Sequence, residues 1–204
     1  MSEFPSTSVK TIGHYEGRAA AFWEGTKDHD VTQNMRALID VLEGKGPHHI
    51  LDFGCGPGRD VKAFFDRGFQ VTGLDGCATF CEMARSHSGQ PVWCQDFLNL
   101  KLPDAEFDGI FANASLFHIP TKHLARVLGQ IYAALKPEGV LFSSNPRGDN
   151  REGWNGERYG AYHDFESWSE WVQAAGFDYL HHYYRPPGLP RRDQPWLASV
   201  WRKS

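Results

Sequence analysis

Apolar positions along the chain follow two spacings in alternation. Between residues 31 and 43 they recur at Val31, Met35, Leu38, Ile39 and Leu42, the i, i+4, i+7, i+8 rhythm of a helix buried on one face. Similar patterning predicts helices at 13–24 (with Tyr15, Ala19, Phe22 and Trp23 on one side), 59–67, 77–87, 121–135 and 164–175. Short apolar runs rich in β-branched and aromatic residues separate them, at 48–53, 69–74, 91–94, 107–112, 140–144, 177–184 and 196–202. Gly44, Gly46-Pro47, Gly68, Gly139 and Gly176 punctuate the element ends. Regular alternation of strand and helix predicts a parallel sheet covered on both faces. The last two strands are joined without a helix, by the Pro- and Arg-rich segment 185–195, so one edge strand is expected to run antiparallel. Residues 1–12 read as a frayed or loosely docked end, and 145–163 as a long loop.

One stretch breaks the pattern and organises the rest. His49 to Phe53 is a strand, Gly54-Cys55-Gly56-Pro57-Gly58 follows, and a helical pattern begins at once. Glycines there permit closer approach to the backbone than a Cβ would allow, and the N–H groups opening the helix face the crevice beyond. A dinucleotide fingerprint, G-x-G-x-x-G, would need its third glycine at position 59, which is Arg59; here the third is Gly58. Asp75 ends the second strand 21 positions after Gly54, near the offset of an acid that takes ribose hydroxyls. It also stands where it would cap the helix that follows.

The stretch D-F-G-C-G-P-G resembles motif I of the class I S-adenosylmethionine-dependent methyltransferases. The resemblance continues in order: L-D-G at 74–76, C-Q-D-F at 94–97, F-D-G-I-F-A-N-A-S-L-F-H at 107–118 and L-K-P-E-G-V-L at 135–141. It implies an α/β, Rossmann-like doubly wound sheet of seven strands, order 3-2-1-4-5-7-6 with the seventh reversed, and S-adenosyl-L-methionine as cofactor. On this resemblance Gly54, Gly56, Asp75, Gly76, Asp96, Phe97 and Asn113 are the expected cofactor contacts. Asp96 approaches the adenine amino group, Phe97 covers the ring, and Asn113 joins Gly54 at the amino-acid end. Tyr15 and Trp23 form a stripe that either packs in the core or, as the N-terminal helix often does in such families, covers the cofactor. Asp52 is expected to support the glycine turn through its N–H groups.

Composition narrows the partners. The chain has 204 residues, enough for one domain, and a net charge of −4 with both signs scattered, so no basic footprint for nucleic acid appears. No apolar run reaches the length of a membrane span, and the start lacks the pattern of a secretory leader. A cytoplasmic protein acting on a small molecule, as monomer or homodimer, is expected. Cys55, Cys77, Cys81 and Cys94 form no C-x-x-C pairs, so no metal site is expected. The domain divides into an N-terminal helical cover (1–47), a cofactor-binding core (48–145), a substrate loop (145–163) and a C-terminal helix and strand pair (164–204).

Methyl transfer from a sulfonium is an in-line displacement, and a base is needed only where the nucleophile must lose a proton. His118, after the fourth strand, and His29, in a predicted loop, are the candidate bases, with Tyr162 offering a hydroxyl. Arg147, Tyr162 and His163 are the candidate substrate contacts, because 145–163 is long and aromatic and its Arg147, Arg151 and Arg158 could hold a carboxylate. A nitrogen or sulfur nucleophile on an amino-acid-like acceptor is the expected substrate. The rival readings are a cofactor-binding regulator without catalysis and a nicotinamide oxidoreductase; the position of the third glycine disfavours the latter.

Overall fold

Strand β1 (His49–Phe53) is buried at all five positions, as a strand with helices on both faces must be. The computed structural model describes residues 4–204, with side chains from Thr7 onward. In chain order β1 is followed by β2 (Gln70–Asp75), β3 (Val92–Cys94), β4 (Phe107–Asn113), β5 (Leu135–Pro146), β6 (Arg151–Asn155), β7 (Arg158–Tyr162), β8 (Phe177–Arg185) and β9 (Trp196–Lys203). Seven of these form one sheet in the order β3-β2-β1-β4-β5-β9-β8, while β6 and β7 pair separately. The first five are parallel; β9 runs antiparallel to β5, and the edge strand β8 antiparallel to β9. The sheet is therefore the seven-stranded, mostly parallel one expected. The carboxyl ends of β1, β2, β4, β5 and β8 all open on one side, where ligands of open α/β sheets bind.

Period-two alternation sends successive side chains to opposite layers. Leu51, Phe53, Ile110, Ala112 and Leu141 join one core with residues of α6 (Thr121–Ala134) and α7 (Phe165–Ala174). Ile50, Val71, Phe111, Val140 and Phe142 join the other with residues of α3 (Thr32–Ile39), α4 (Arg59–Phe65) and α5 (Ala78–Ser88). No helix among the described residues is long and apolar enough to cross a membrane.

The structure corrects the chain's two expected irregular segments. Residues 1–3 lie outside the described residues, but Phe4–Glu16 is a helix, α1, followed by α2 (Ala19–Thr26). The end is docked: Ser8 donates to Asp96 at 2.7 Å, and the Glu16 carboxylate accepts the Ala78 and Thr79 N–H groups at the start of α5. Anions are favoured at a helix N-terminus. The predicted loop 145–163 is largely β5's end and the β6–β7 hairpin, which turns on Gly156-Glu157 with Gly156 at φ 62°, a position that suits glycine. Tyr159 anchors this hairpin to the helical cover, its N–H donating to Thr11 Oγ1 at 3.0 Å.

Fully buried Ser199 ties the C-terminal strands to the helical layer. Its hydroxyl accepts the indole N–H groups of Trp168 (3.0 Å) and Trp201 (2.8 Å) and lies 3.0 Å from the Ser143 hydroxyl. Substituting Ser199→Ala leaves two buried donors without an acceptor, each costing about 1–3 kcal/mol. Urea unfolding is expected to show a loss of at least ~2 kcal/mol; a change below ~0.5 would mean that water replaces the hydroxyl.

Candidate functional site

The glycine turn is shaped by three different demands. Gly54, Gly56 and Gly58 all have positive φ (82°, 52° and 93°), which a side chain would strain. A Cβ at Gly54 would overlap Ser115, and one at Gly58 would stand 2.6 Å from the Ala84 Cα. These two glycines serve packing within the chain. At Gly56 the nearest atom to a Cβ would be a Phe22 ring carbon at 3.6 Å, across the mouth of the crevice. Gly56 is thus the open one.

Asp75 is fastened to this turn. Its Oδ2 accepts the Gly56 N–H and its Oδ1 the Cys77 N–H, both at 2.9 Å. The cap of α5 is Cys77, whose thiol accepts the Phe80 N–H at 3.4 Å, so Asp75 is not the cap. Burial raises the Asp75 carboxyl to about 6, against the pull of the Cys77, Gly56 and Gly76 N–H groups. Asp52 behaves differently from expectation: the Val61 N–H, not those of the glycines, supports it. Burial and then the neighbouring Asp60 push its carboxyl well above the usual range, and its Oδ2 has no partner.

Two adjoining cavities occupy the crevice. The first, about 90 Å³, is lined by Tyr15, Gly54, Gly56, Asp75, Gly76, Asp96, Phe97 and His118, and by Ser8, Phe22, Phe80 and Ser115. Asp96 accepts the Leu98 N–H at 2.9 Å, an Asx turn, as well as the Ser8 hydroxyl. Phe97 stacks on Phe53 with ring centroids 4.5 Å apart. The second, about 510 Å³, shares Tyr15, Phe22, Gly54, Gly56 and Ala114 with the first. It adds Trp23, His29, Asn113, Phe117, Arg158, Arg185 and Trp196. Trp23 also packs against His87, centroids 4.8 Å apart. Asn113 is held from behind, accepting from Asn34 at 2.9 Å while its own amide lies 3.4 Å from Asp60.

His118 is engaged on both ring nitrogens. Nδ1 donates to the Tyr159 carbonyl at 2.6 Å, so Nε2 is left to accept the Tyr15 hydroxyl at 2.9 Å. Burial, chiefly, and then the Arg158 charge lower its pKa to about 4 against the opposing pull of Tyr159. At neutral pH the ring is uncharged.

Of the substrate contacts expected from 145–163, Arg158 lines the second cavity, but Arg147, Tyr162 and His163 are on neither cavity's wall. Arg147 turns away, donating to the Gln194 and Arg191 carbonyls at 3.3 and 2.9 Å. Tyr162 packs 6.1 Å from Phe117 and lines neither cavity. His163 lies 6.3 Å from Trp168 with both ring nitrogens unpartnered, burial lowering its pKa; it too is off the walls. Three arginines do line the second cavity: Arg59, Arg158, which the sequence offered beside Arg147 as a carboxylate holder, and Arg185, which carried no sequence signal beyond charge. Phe22 was visible as part of the Tyr15–Trp23 stripe. Among the described residues no cluster of three or more His, Cys, Asp or Glu is placed to hold a metal.

Residues 51–143 match the family model of a methyltransferase domain. The chain is 31% identical over 128 residues to 24-methylenesterol C-methyltransferase 2 of Oryza sativa subsp. japonica, covering 59% of this chain and 33% of that protein. It is 36% identical over 118 residues to trans-aconitate 2-methyltransferase of Azoarcus sp., covering 57% and 46%. The chain thus spans less than half the length of these curated relatives. In fold it is similar to 1,6-didemethyltoxoflavin-N1-methyltransferase of Burkholderia thailandensis, solved with 1,6-didemethyltoxoflavin and S-adenosylhomocysteine. The TM-score is 0.76 at 22% identity, over 97% of this chain and 88% of that one.

Asp75 and His118 pull acid stability in opposite directions. Asp75, raised from 3.8 to about 6, binds more proton folded than unfolded in that window, so its contribution falls as pH rises. His118, lowered from 6.5 to about 4, binds less, so its contribution is lost as pH falls through the same window. Each is worth on the order of 2–3 kcal/mol. Asp75→Asn is therefore expected to make stability drop more steeply from pH 6 to 4, and His118→Gln less steeply, in urea titrations at each pH. Parallel profiles for both variants and the parent would show that neither titration is linked to folding.

Proposed function

We propose that this chain is a class I S-adenosylmethionine-dependent methyltransferase that transfers a methyl group to a nitrogen or sulfur atom of a small, carboxylate-bearing, amino-acid-like acceptor. The observation that carries the reading is Asp75, an acceptor carboxylate pinned to the glycine turn by the Gly56 and Cys77 N–H groups and facing the first cavity. Its position beside the open Gly56 suits a ribose diol, which offers two hydroxyl donors. Asp96, with Phe97 beside it, would take the adenine amino group and ring, Gly76 lying between. Tyr15 and Trp23 would cover the cofactor, and Gly54 with Asn113 would meet its amino-acid end. When bound, S-adenosylmethionine supplies an electrophilic methyl group on sulfur.

What the chain contributes is placement and exclusion of water. The Tyr15 hydroxyl is aimed by its bond to His118 Nε2, and the His118 ring by the Tyr159 carbonyl. In this reading His118 is a positioning residue, because a ring with a pKa of about 4 takes up protons poorly near neutral pH. His29, which lines the second cavity, would receive a proton where one must leave. An amine or thiolate with its lone pair already free needs none, which supports nitrogen or sulfur over a neutral alcohol. Tyr162 would act behind Phe117, packing the hairpin, and His163 outside the cavities.

Two measurements test the reading. Calorimetry is expected to show binding of S-adenosylhomocysteine and none of NADH. Asp75→Ala removes charge-assisted hydrogen bonds worth about 1.5–3 kcal/mol, a loss of affinity of roughly tenfold to a hundredfold. An unchanged dissociation constant in a folded variant would leave Asp75 a structural acceptor only. Single-turnover transfer of a labelled methyl group into a metabolite extract tests catalysis directly; a cofactor that binds with no labelled product would make the chain a binding protein.

A further inference from the structure

The second cavity contains three arginines, and they are not equivalent. Arg59 is neutralised: its Nε and Nη2 grip both oxygens of Asp60 at 2.7 and 2.9 Å, and its Nη1 donates to the Thr26 carbonyl. Among the described residues Arg158 and Arg185 have no such carboxylate partner. Arg185 donates Nη2 to the main-chain carbonyl of Asp30 at 2.9 Å, and its buried Nε has no partner. The nearby Asp30 carboxylate is itself engaged by the Thr32 N–H at 2.9 Å. Arg158 stands beside the Tyr15 phenol and the His118 ring. Two guanidinium groups thus share an aromatic-walled pocket with one exposed carboxylate. Sequestered cations of this kind favour an anionic ligand, and guanidinium matches a carboxylate's two oxygens.

Its place in the sheet separates Arg185 from the adenosine side, whereas Arg158, on the hairpin, stands beside Tyr15 and His118 where the two cavities adjoin. Arg185 ends β8, at the edge opposite β3, and pairs with Trp196. Four strand spacings lie between β8 and β1, about 19 Å. Asp75 and Asp96 lie on the β2–β3 side. Asp75 and Asp96 thus lie toward one edge of the sheet and Arg185 at the other. Phe117 and Trp196 also line the second cavity, and such faces suit a planar ring.

Resting on the methyl-transfer reading above, we infer that Arg158 and Arg185 hold the carboxylate of a planar aromatic or heteroaromatic acceptor in the second cavity, in place of the Arg147 anchor expected from sequence. The shared chemistry is a carboxylate, which the cofactor's own amino-acid end also carries, and the test separates the two.

Calorimetry is performed on the full chain saturated with S-adenosylhomocysteine, using a panel of planar aromatic acids (2-aminobenzoate, quinoline-2-carboxylate, indole-2-carboxylate) and their matched amides. At least one acid is expected to bind tenfold or more tighter than its amide. Arg158→Gln and Arg185→Gln are each expected to erase that preference while S-adenosylhomocysteine affinity stays within twofold; Arg147→Gln is expected to leave both intact. Should either cavity variant fail to fold, sulfate competition on the parent protein gives the same information, weakening the acid and sparing the amide. No acid preference anywhere in the panel, binding or not, overturns the inference. So does a tenfold loss of S-adenosylhomocysteine affinity in Arg185→Gln, which would assign that arginine to the cofactor. Failure of the parent protein to bind S-adenosylhomocysteine at all is a different result and sinks the methyl-transfer reading itself.

Discussion

The N–H groups of Gly54 and Cys55 both donate to the Leu74 carbonyl, at 2.7 and 3.0 Å, and much of the site hangs from that shared acceptor. It draws the end of β1 across the end of β2 and leaves the next N–H, that of Gly56, to the Asp75 carboxylate. The chain can follow this path only with positive φ at Gly54, Gly56 and Gly58. Two of these glycines then press against Ser115 and Ala84, so β4's following turn and α5 are located by the same five residues. A carboxylate at the cavity, a helix start and a strand exit are thereby set by one backbone conformation, not by three separate contacts.

Electrostatics divide what that backbone organises. Buried carboxylates are costly unless hydrogen-bonded, and Asp75 has N–H donors, yet burial still raises it to about 6. The second cavity carries the guanidinium groups of Arg158 and Arg185 instead. Between them His118 is held neutral, its two nitrogens committed to Tyr159 and Tyr15. A neutral histidine at this junction adds no charge of its own where a cationic methyl donor and its acceptor would meet. That is consistent with its serving orientation.

Most of the sheet was legible in the sequence because its signals are local. Strands buried on both faces read as continuous apolar runs, and glycines mark the turns that join them to helices. The motif glycines, Asp75, Asp96 and Phe97 were legible for the same reason: each sits at a strand's carboxyl end, and their spacing follows from strand and helix lengths. The hairpin was less so. Its alternation, Arg151 to Tyr162, is interrupted by Gly153, Gly156 and Gly160, and its inward residues pack on a small second layer, so the hydrophobic contrast is weak. Arg147 misled because sequence proximity to aromatics says nothing about direction. At the end of β5 its side chain is taken up by the carbonyls of a segment more than forty residues away. Arg185 could not be read from local pattern, since what matters is the carbonyl of Asp30 across the crevice.

The parts that close the site are held differently from the parts that carry it. Core strands are fixed by burial, β1 and the inner residues of β4 and β5 being wholly enclosed. The cover packs Ile12, Tyr15, Ala19 and Phe22 on Cys77 and Phe80, and a short chain of polar bonds joins it and the hairpin to the site: Tyr159 to Thr11, His118 to Tyr159, Tyr15 to His118 and Ser8 to Asp96. Each such bond is worth about 1 kcal/mol net, far less than the burial of one large core side chain and its neighbours. Because Tyr159 serves both Thr11 and His118, α1 and the hairpin share one attachment to the turn after β4. Displacing α1 from the first cavity therefore disturbs the same residues that wall the second. Tyr15 lines both cavities, and its hydroxyl is held by His118 on the wall of the first.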